Sequence, residues 1–138
     1  MGKQVQDVMT SNPVTVTRSD TVVQAARLME SADVGSVPVV DGGTPVGIVT
    51  DRDIAIRVVA KAKDPNLTTV GEIATGQPYY AAPDQDLDEA LELMAYRKVR
   101  RVPVVSDGLL VGMLAQADVV HEAKEKKAAH VIEEISQR

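Results

Sequence analysis

The chain repeats itself. Displaced by 65 residues, Val5–Arg57 lies on Val70–Glu122 without a gap, and fifteen of the 53 aligned pairs are identical. The identities cluster. Pro13 falls on Pro78, and Ala25, Leu28 and Met29 fall on Ala90, Leu93 and Met94. Val37-Pro38-Val39-Val40 matches Val102-Pro103-Val104-Val105, Val46-Gly47 matches Val111-Gly112, and Asp53 matches Asp118. Two copies are too few for a solenoid, and each is too short to bury a good core alone. The expected solution is two copies packed on one another about a pseudo-two-fold axis. The boundaries are a first repeat at 5–60, a connector at 61–69, a second repeat at 70–122 and a C-terminal helix at 123–138.

Within a copy the pattern reads β-α-β-β-α, an α/β fold. Val14-Thr15-Val16 is a short strand. A helix from Thr21 to about Ser31 places Val22, Ala25, Ala26 and Met29 on one face, and Leu87, Ala90, Leu91 and Met94 repeat that stripe. Thr21 with Gln24 forms a capping box, and Asp86 with Glu89 opens the matching helix. Val37–Val40 and Val46–Val49 flank Asp41-Gly42-Gly43-Thr44, a hairpin signal. Pro38 and Pro103 within strand-like runs require edge positions or strand starts. Asp51 to about Ala60 returns to helical spacing, and beyond Asp118 a polar helix carries Val131, Ile132 and Ile135 as docking residues.

Composition narrows the functional classes. The 138 residues are 44% apolar and 25% charged, with a net charge of −5. An acidic chain is a poor partner for nucleic acid or an anionic membrane. The absence of Phe and Trp, with Tyr79, Tyr80 and Tyr96 as the only aromatics, leaves few stacking platforms for single strands. No Cys is present, which excludes thiol catalysis and thiolate metal sites and suits a reducing cytoplasm. No apolar run approaches the roughly 18 residues of a membrane span, and MGKQVQ is no signal peptide. His121 and His130 stand nine apart, which is not a metal-pair spacing. No catalytic triad, HExxH or Walker element occurs, so the sequence gives no basis for an enzyme.

Gly47-Ile48-Val49-Thr50-Asp51-Arg52-Asp53 carries the most chemistry. Thr50 as N-cap and Asp53 three residues on make a capping arrangement that needs no ligand. The same geometry suits a nucleotide. Free N–H groups at a helix start attract phosphate, and a fixed carboxylate accepts the hydroxyls of a ribose.

The two-fold repeat, with V-P-V-V and G-h-h-x-x-x-D elements in each copy, resembles a tandem cystathionine β-synthase (CBS) domain pair, or Bateman module. The resemblance spans about residues 5–122. It is closest to the small stand-alone pairs, among them the hypoxic response proteins, on the strength of Asp51-Arg52-Asp53-Ile54 and Asp64-Pro65-Asn66. It implies two units joined through their sheets, with clefts that bind AMP, ADP, ATP, NAD or S-adenosylmethionine and no required cofactor. Carried over, Thr50 faces phosphate and Asp53 holds the ribose, with Arg52, Ser36, Val37, Tyr80, Val99, Arg100 and Arg101 around them. A second, weaker cleft gathers Asp118, Val34, Gly35, Thr15 and Val16, because Ala115 stands where Thr50 stands and removes the hydroxyl.

Arg97-Lys98-Val99-Arg100-Arg101 sets four cations in five residues, of which Arg100 and Arg101 suit a phosphate. Their counterparts Gly35 and Ser36 carry no charge. The resemblance therefore implies a ligand-sensing regulatory module that acts through a homodimer or an unidentified protein partner. The alternatives are a constitutive dimeric scaffold, with Thr50 and Asp53 as caps alone, and, least favoured, a weak nucleotide hydrolase.

Overall fold

The computed structural model describes residues 2–76 and 79–121. The predicted terminal helix, with His130, Val131, Ile132 and Ile135, lies outside the described residues, as does Pro78. In chain order the elements are a 3-10 turn at Val5–Asp7, then β1 (Thr10–Ser11), α1 (Val22–Ala32), β2 (Ser36–Asp41) and β3 (Thr44–Thr50). After these come α2 (Asp51–Ile54), a π-type turn at Ala55–Val59, α3 (Val70–Ile73), α4 (Leu87–Arg97), β4 (Arg101–Ser106) and β5 (Leu109–Ala115). Residues 116–121 are again helical.

Local chemistry sets the element ends. The Thr21 hydroxyl accepts from Gln24 N–H at 3.2 Å, and Gln24 Oε1 accepts from Thr21 N–H at 2.7 Å, so the box satisfies two donors at the start of α1. Asp86 caps α4 by accepting from Glu89 N–H at 3.1 Å. Both helices end on a left-handed residue, Asp33 at φ 55° and Lys98 at φ 57°. The hairpins β2–β3 and β4–β5 turn on Gly42-Gly43 and Asp107-Gly108, all at positive φ, as a two-residue turn of the primed type requires. Each hairpin has a register shift, at Val39/Val40 and at Val104/Val105.

Pro38 and Pro103 lie in β2 and β4, which stand at the edges of their sheets, where a missing N–H costs no ladder bond. The strand expected at Val14-Thr15-Val16 contracts to one bridging residue. Val16 N–H donates to Pro38 O at 3.1 Å and Val40 N–H donates to Val16 O at 2.8 Å. The β2–β3 ladder shifts register at the same point, between Val39 and Val40. Ala81 bridges Val104 in the same way. The predicted helix from Asp51 leaves α-geometry at Ala55, and Ala60 N–H donates to Ala55 O at 2.9 Å, five residues back.

The core is two aliphatic clusters, one per repeat. Val22, Ala25 and Met29 of α1 are buried with Val37, Val39 and Val49. Leu87, Ala90 and Met94 of α4 are buried with Val102, Val104 and Leu114. Ala26 of the predicted stripe is exposed, while Leu91 is partly buried.

The opening turns are exchanged between the repeats. Val5 is fully buried in the second cluster, held by Val5 N–H to Gln85 O and Gln6 N–H to Pro83 O, both 2.9 Å. Val70 and Ile73 are buried in the first cluster, held by Val70 N–H to Asp20 O at 2.8 Å and Gly71 N–H to Arg18 O at 2.9 Å. These contacts are related by the same 65-residue offset as the sequence.

Candidate functional site

The exchange brings the arm after each opening turn against the other repeat's hairpin. Thr10 pairs with Met113, and its offset mate Thr75 pairs with Ile48. Glycine is required where the arms cross. A Cβ on Gly47 would stand 2.8 Å from Thr75 O, and one on Gly112 would stand 2.9 Å from Thr10 O.

A cavity of about 410 Å³ opens between the repeats. One wall is the arm, with Thr10, Pro13 and Val14. A second wall is the α1–β2 corner, with Asp33, Val34, Gly35 and Ser36. The third comes from the other repeat, with Arg101 on β4, Ala115 at the end of β5 and Asp118. Asp118 is half-buried and accepts from the Thr10 hydroxyl at 3.4 Å. A carboxylate held in this way can take the vicinal hydroxyls of a sugar.

Thr50 and Asp53 occupy the offset-related place. Thr50 N–H donates to Asp53 Oδ2 at 2.9 Å, and Asp53 N–H donates to Thr50 Oγ1 at 3.0 Å. The capping box is therefore complete without a ligand. Arg57 Nε stands 3.9 Å from Asp53 Oδ1, and its guanidinium donates to Ile73 O at 2.8 Å, tying the Asp53 helix to the exchanged turn α3. Ala115 cannot form such a box, and the Asp118 carboxylate turns to Thr10 instead.

The remaining candidate residues divide by strand alternation and position. Val37 is fully buried and Val16 is 4% exposed; both side chains face the first core, while Ser36 and Pro38 on the opposite face of β2 line the cavity. Thr15 is exposed beside Val14, which lines the cavity in its stead. Tyr80 joins the repeats by donating its hydroxyl to Pro45 O at 2.8 Å. Val99 packs on the second core. Arg100 is exposed, and its carbonyl accepts from Gln116 N–H at 2.8 Å, as Gly35 O accepts from Asp51 N–H at 2.9 Å. Arg52 is exposed beside Asp51, whose Oδ1 accepts from Arg52 N–H at 2.8 Å. Thr10, Asp33 and Arg57 were not singled out from sequence, although the identity of Thr10 with Thr75 was a visible signal.

The CBS domain model matches twice, at residues 5–60 and 70–125, nearly the whole chain. The chain belongs to the CBS-domain family. As a CBS pair it is a regulatory module in type, and it is similar along its length to stand-alone pairs. The CBS domain-containing protein YhcV of Bacillus subtilis (strain 168) is 37% identical over 133 residues, covering 96% of this chain and 94% of the relative. The crystal structure of Hypoxic Response Protein I with two coordinated zinc ions superposes with a TM-score of 0.78 at 36% identity, covering 86% of this chain and 98% of that one. The crystal structure of CBSX2 in complex with AMP superposes with a TM-score of 0.76 at 32% identity, covering 91% and 99%. Among the described residues of this pair, no three His, Cys, Asp or Glu side chains are grouped to hold a metal ion. No helix among them is long and apolar enough to cross a membrane.

Proposed function

We propose that this CBS pair is a sensor of adenine nucleotide, AMP, ADP, ATP or NAD, and that it is not an enzyme. The inter-repeat cavity of about 410 Å³, beside the Asp118 carboxylate that is the offset mate of Asp53, carries this reading. The AMP complex of CBSX2, a full-length structural relative, supports it. The phosphorylated ligand binds at Thr50 and Asp53, the offset-related place that keeps both hydroxyl and carboxylate, with Asp53 on the ribose and Arg100 toward phosphate, while Arg101 serves the Asp118 cavity. Output passes through a homodimer of about twice 14.8 kDa or through a protein partner in the cytoplasm. The faces around Ile56 and Val59 on one repeat, and Tyr96 and Val120 on the other, remain exposed for such contacts.

The test is a thermal shift with AMP, ADP, ATP and NAD, together with sedimentation. Ligand at about 100 times its dissociation constant adds roughly 2.7 kcal/mol, a rise of several degrees at this size. A second reading, a dimeric scaffold, is favoured by the capping box at Thr50 and Asp53, which is already satisfied. No shift at millimolar nucleotide selects the scaffold, and a monomer at tens of micromolar removes the homodimer.

A further inference from the structure

The two repeats close differently. In the first, the helical turns that begin at Asp51 stop at Ala60. Ala62 stands left-handed at φ 55°, and Lys63 N–H donates to Val58 O at 2.9 Å. Asp64-Pro65-Asn66 then turns the chain back, and Pro65 O accepts from Val23 N–H at 3.2 Å at the start of α1. In the second repeat the 65-residue offset puts Lys127, Ala129, His130 and Val131 in the places of Ala62, Asp64, Pro65 and Asn66. From Gln116 to Arg138 the sequence holds no Gly and no Pro. The helix that begins at 116 therefore meets no such stop in the 17 residues that follow His121.

A helix continued in this way leaves its own repeat. Val58 and Val59 line a groove together with Val22, the first residue of α1. Their offset mates are Ala123 and Lys124, and that of Val22 is Leu87, which opens α4. At 1.5 Å per residue the helix carries Val131 about 10 Å past that point. Val131 falls eleven residues after the exposed Val120, three helical turns on and on the same face, with Ile135 one turn further. The second repeat has no surface of its own to cover this apolar end.

The first repeat has an open groove of matching character. It encloses about 340 Å³, with Ala26 of α1 on one wall, Ile54, Val58 and Val59 on the other and Pro65 across one end. Val59 is 72% exposed, and so uncovered within the chain. The charges match as well. Arg27 lies nearer the Pro65 end of the α1 wall and Glu30 further along it, while Lys61 and Lys63 precede Pro65 in the chain. The segment past His121 has Lys126, Lys127 and His130 before its apolar residues and Glu133 and Glu134 among them. Laid antiparallel to α1, its acidic end meets Arg27 and its basic end meets Glu30.

We infer that this first-repeat groove receives residues 122–138 of a second copy, with Val131, Ile132 and Ile135 seated against Ala26, Val58 and Val59. Two such segments and two grooves related by a two-fold axis close the assembly. The inference rests on the homodimer reading above and names the segment and the groove that join the copies.

The chain has no Cys, so single introduced cysteines report the contact in the full-length protein. Ala26→Cys and Ile132→Cys chains, refolded together and oxidised, are expected to give a mixed disulfide dimer as the main product. Disulfide dimers of Ile132→Cys alone mean that segment pairs with segment, and those of Ala26→Cys alone mean that groove faces groove. Either of these in place of the mixed dimer overturns the inference, as does a dimeric protein that gives no disulfide. An internal disulfide in the Ala26→Cys/Ile132→Cys chain overturns it in favour of the chain's own segment. Ile132→Asp with Ile135→Asp is expected to raise the dimer dissociation constant at least about tenfold by sedimentation, through loss of buried apolar side chains. Arg27→Glu is expected to weaken the dimer, and Glu134→Arg added to it is expected to restore association, which a folding defect would not allow. A dimer unmoved by all of these substitutions overturns the inference while leaving the homodimer intact. A monomeric wild type removes both.

Discussion

The Thr10 hydroxyl donates to the Asp118 carboxylate across 3.4 Å, joining the first repeat's arm to the helix start that closes the second. The bond spans 108 residues of chain and gives the Asp118 carboxylate, which no capping box engages, a partner from the other repeat. It shows why a cleft of a CBS pair belongs to neither repeat alone.

Asp53 and Asp118 are identical in the repeat but differ in their partners. Asp53→Ala is expected to weaken AMP or ATP binding at least about tenfold, since a hydrogen bond to a charged group contributes roughly 1.5–3 kcal/mol. Asp118→Ala should change binding of these phosphorylated ligands less. Calorimetry on both variants decides the matter, and equal losses would refute the asymmetry.

Thr50→Ala removes a helix cap as well as a candidate phosphate contact. Loss of the cap alone lowers stability by about 1 kcal/mol. Affinity for nucleotide is expected to fall by more than that loss explains, so urea denaturation and titration must be paired. Retained affinity with a lowered midpoint assigns Thr50 to the cap alone.

Ala115→Thr is the reciprocal change. It restores the S/T-x-x-D arrangement ahead of the helical residues 116–121 and should stabilise the chain by about 1 kcal/mol. The gain comes with withdrawal of the Asp118 carboxylate from Thr10. An unchanged or lowered thermal midpoint counts against this.

The exchanged turns predict that damage appears in the opposite repeat. Val5→Ala should destabilise by about 1–2 kcal/mol, from roughly 0.8 kcal/mol per buried methylene plus a cavity term, with faster hydrogen exchange in α4 and β4. Val70→Ala should act likewise on α1 and β2. Faster exchange confined to each turn's own sequence repeat contradicts the exchange.

Glu72 gives the pH dependence. Its carboxylate accepts from Thr69 N–H at 2.7 Å and from the Thr69 hydroxyl at 3.1 Å. The backbone bond first, then the side-chain bond, holds its pKa below the ordinary 4.5. The folded value lies below the unfolded one, so this stabilisation is present above the unfolded pKa and is lost as pH falls through the folded pKa. Glu72→Gln is expected to be less stable than wild type at pH 7, with the gap closing below pH 4.5. Urea melts across that range measure it; a gap constant with pH excludes the linkage.

Much of the fold was legible because its signals are local. A cap needs only residues three apart, as in Thr21 and Gln24, and a primed turn needs only two positive-φ positions, as at Gly42 and Gly43. The α1 stripe shows its buried face by period alone, apart from Ala26, and the V-P-V-V runs are legible as continuous apolar strands. The strand at Val14–Val16 was overstated, since only Val16 bridges β2 and the extent of pairing is set by a distant partner strand rather than by local pattern. The change to π-type bonding at Ala55 was likewise unannounced. At the site, Asp53, Asp118 and the run Arg97–Arg101 were visible as types at matching offsets. Asp33 was not, and the identity of Thr10 with Thr75, though visible, did not indicate a shared cavity.

The sequence by itself determined the two-fold repeat, the order of elements within it and the different charge of the two α–β corners. Only the tertiary structure decided that Val5 enters the second core and Val70 the first, and hence that Thr10 meets Asp118. Burial of apolar surface is non-directional. Periodicity therefore states that a valine must be covered, and the path of the packed chain settles which repeat covers it.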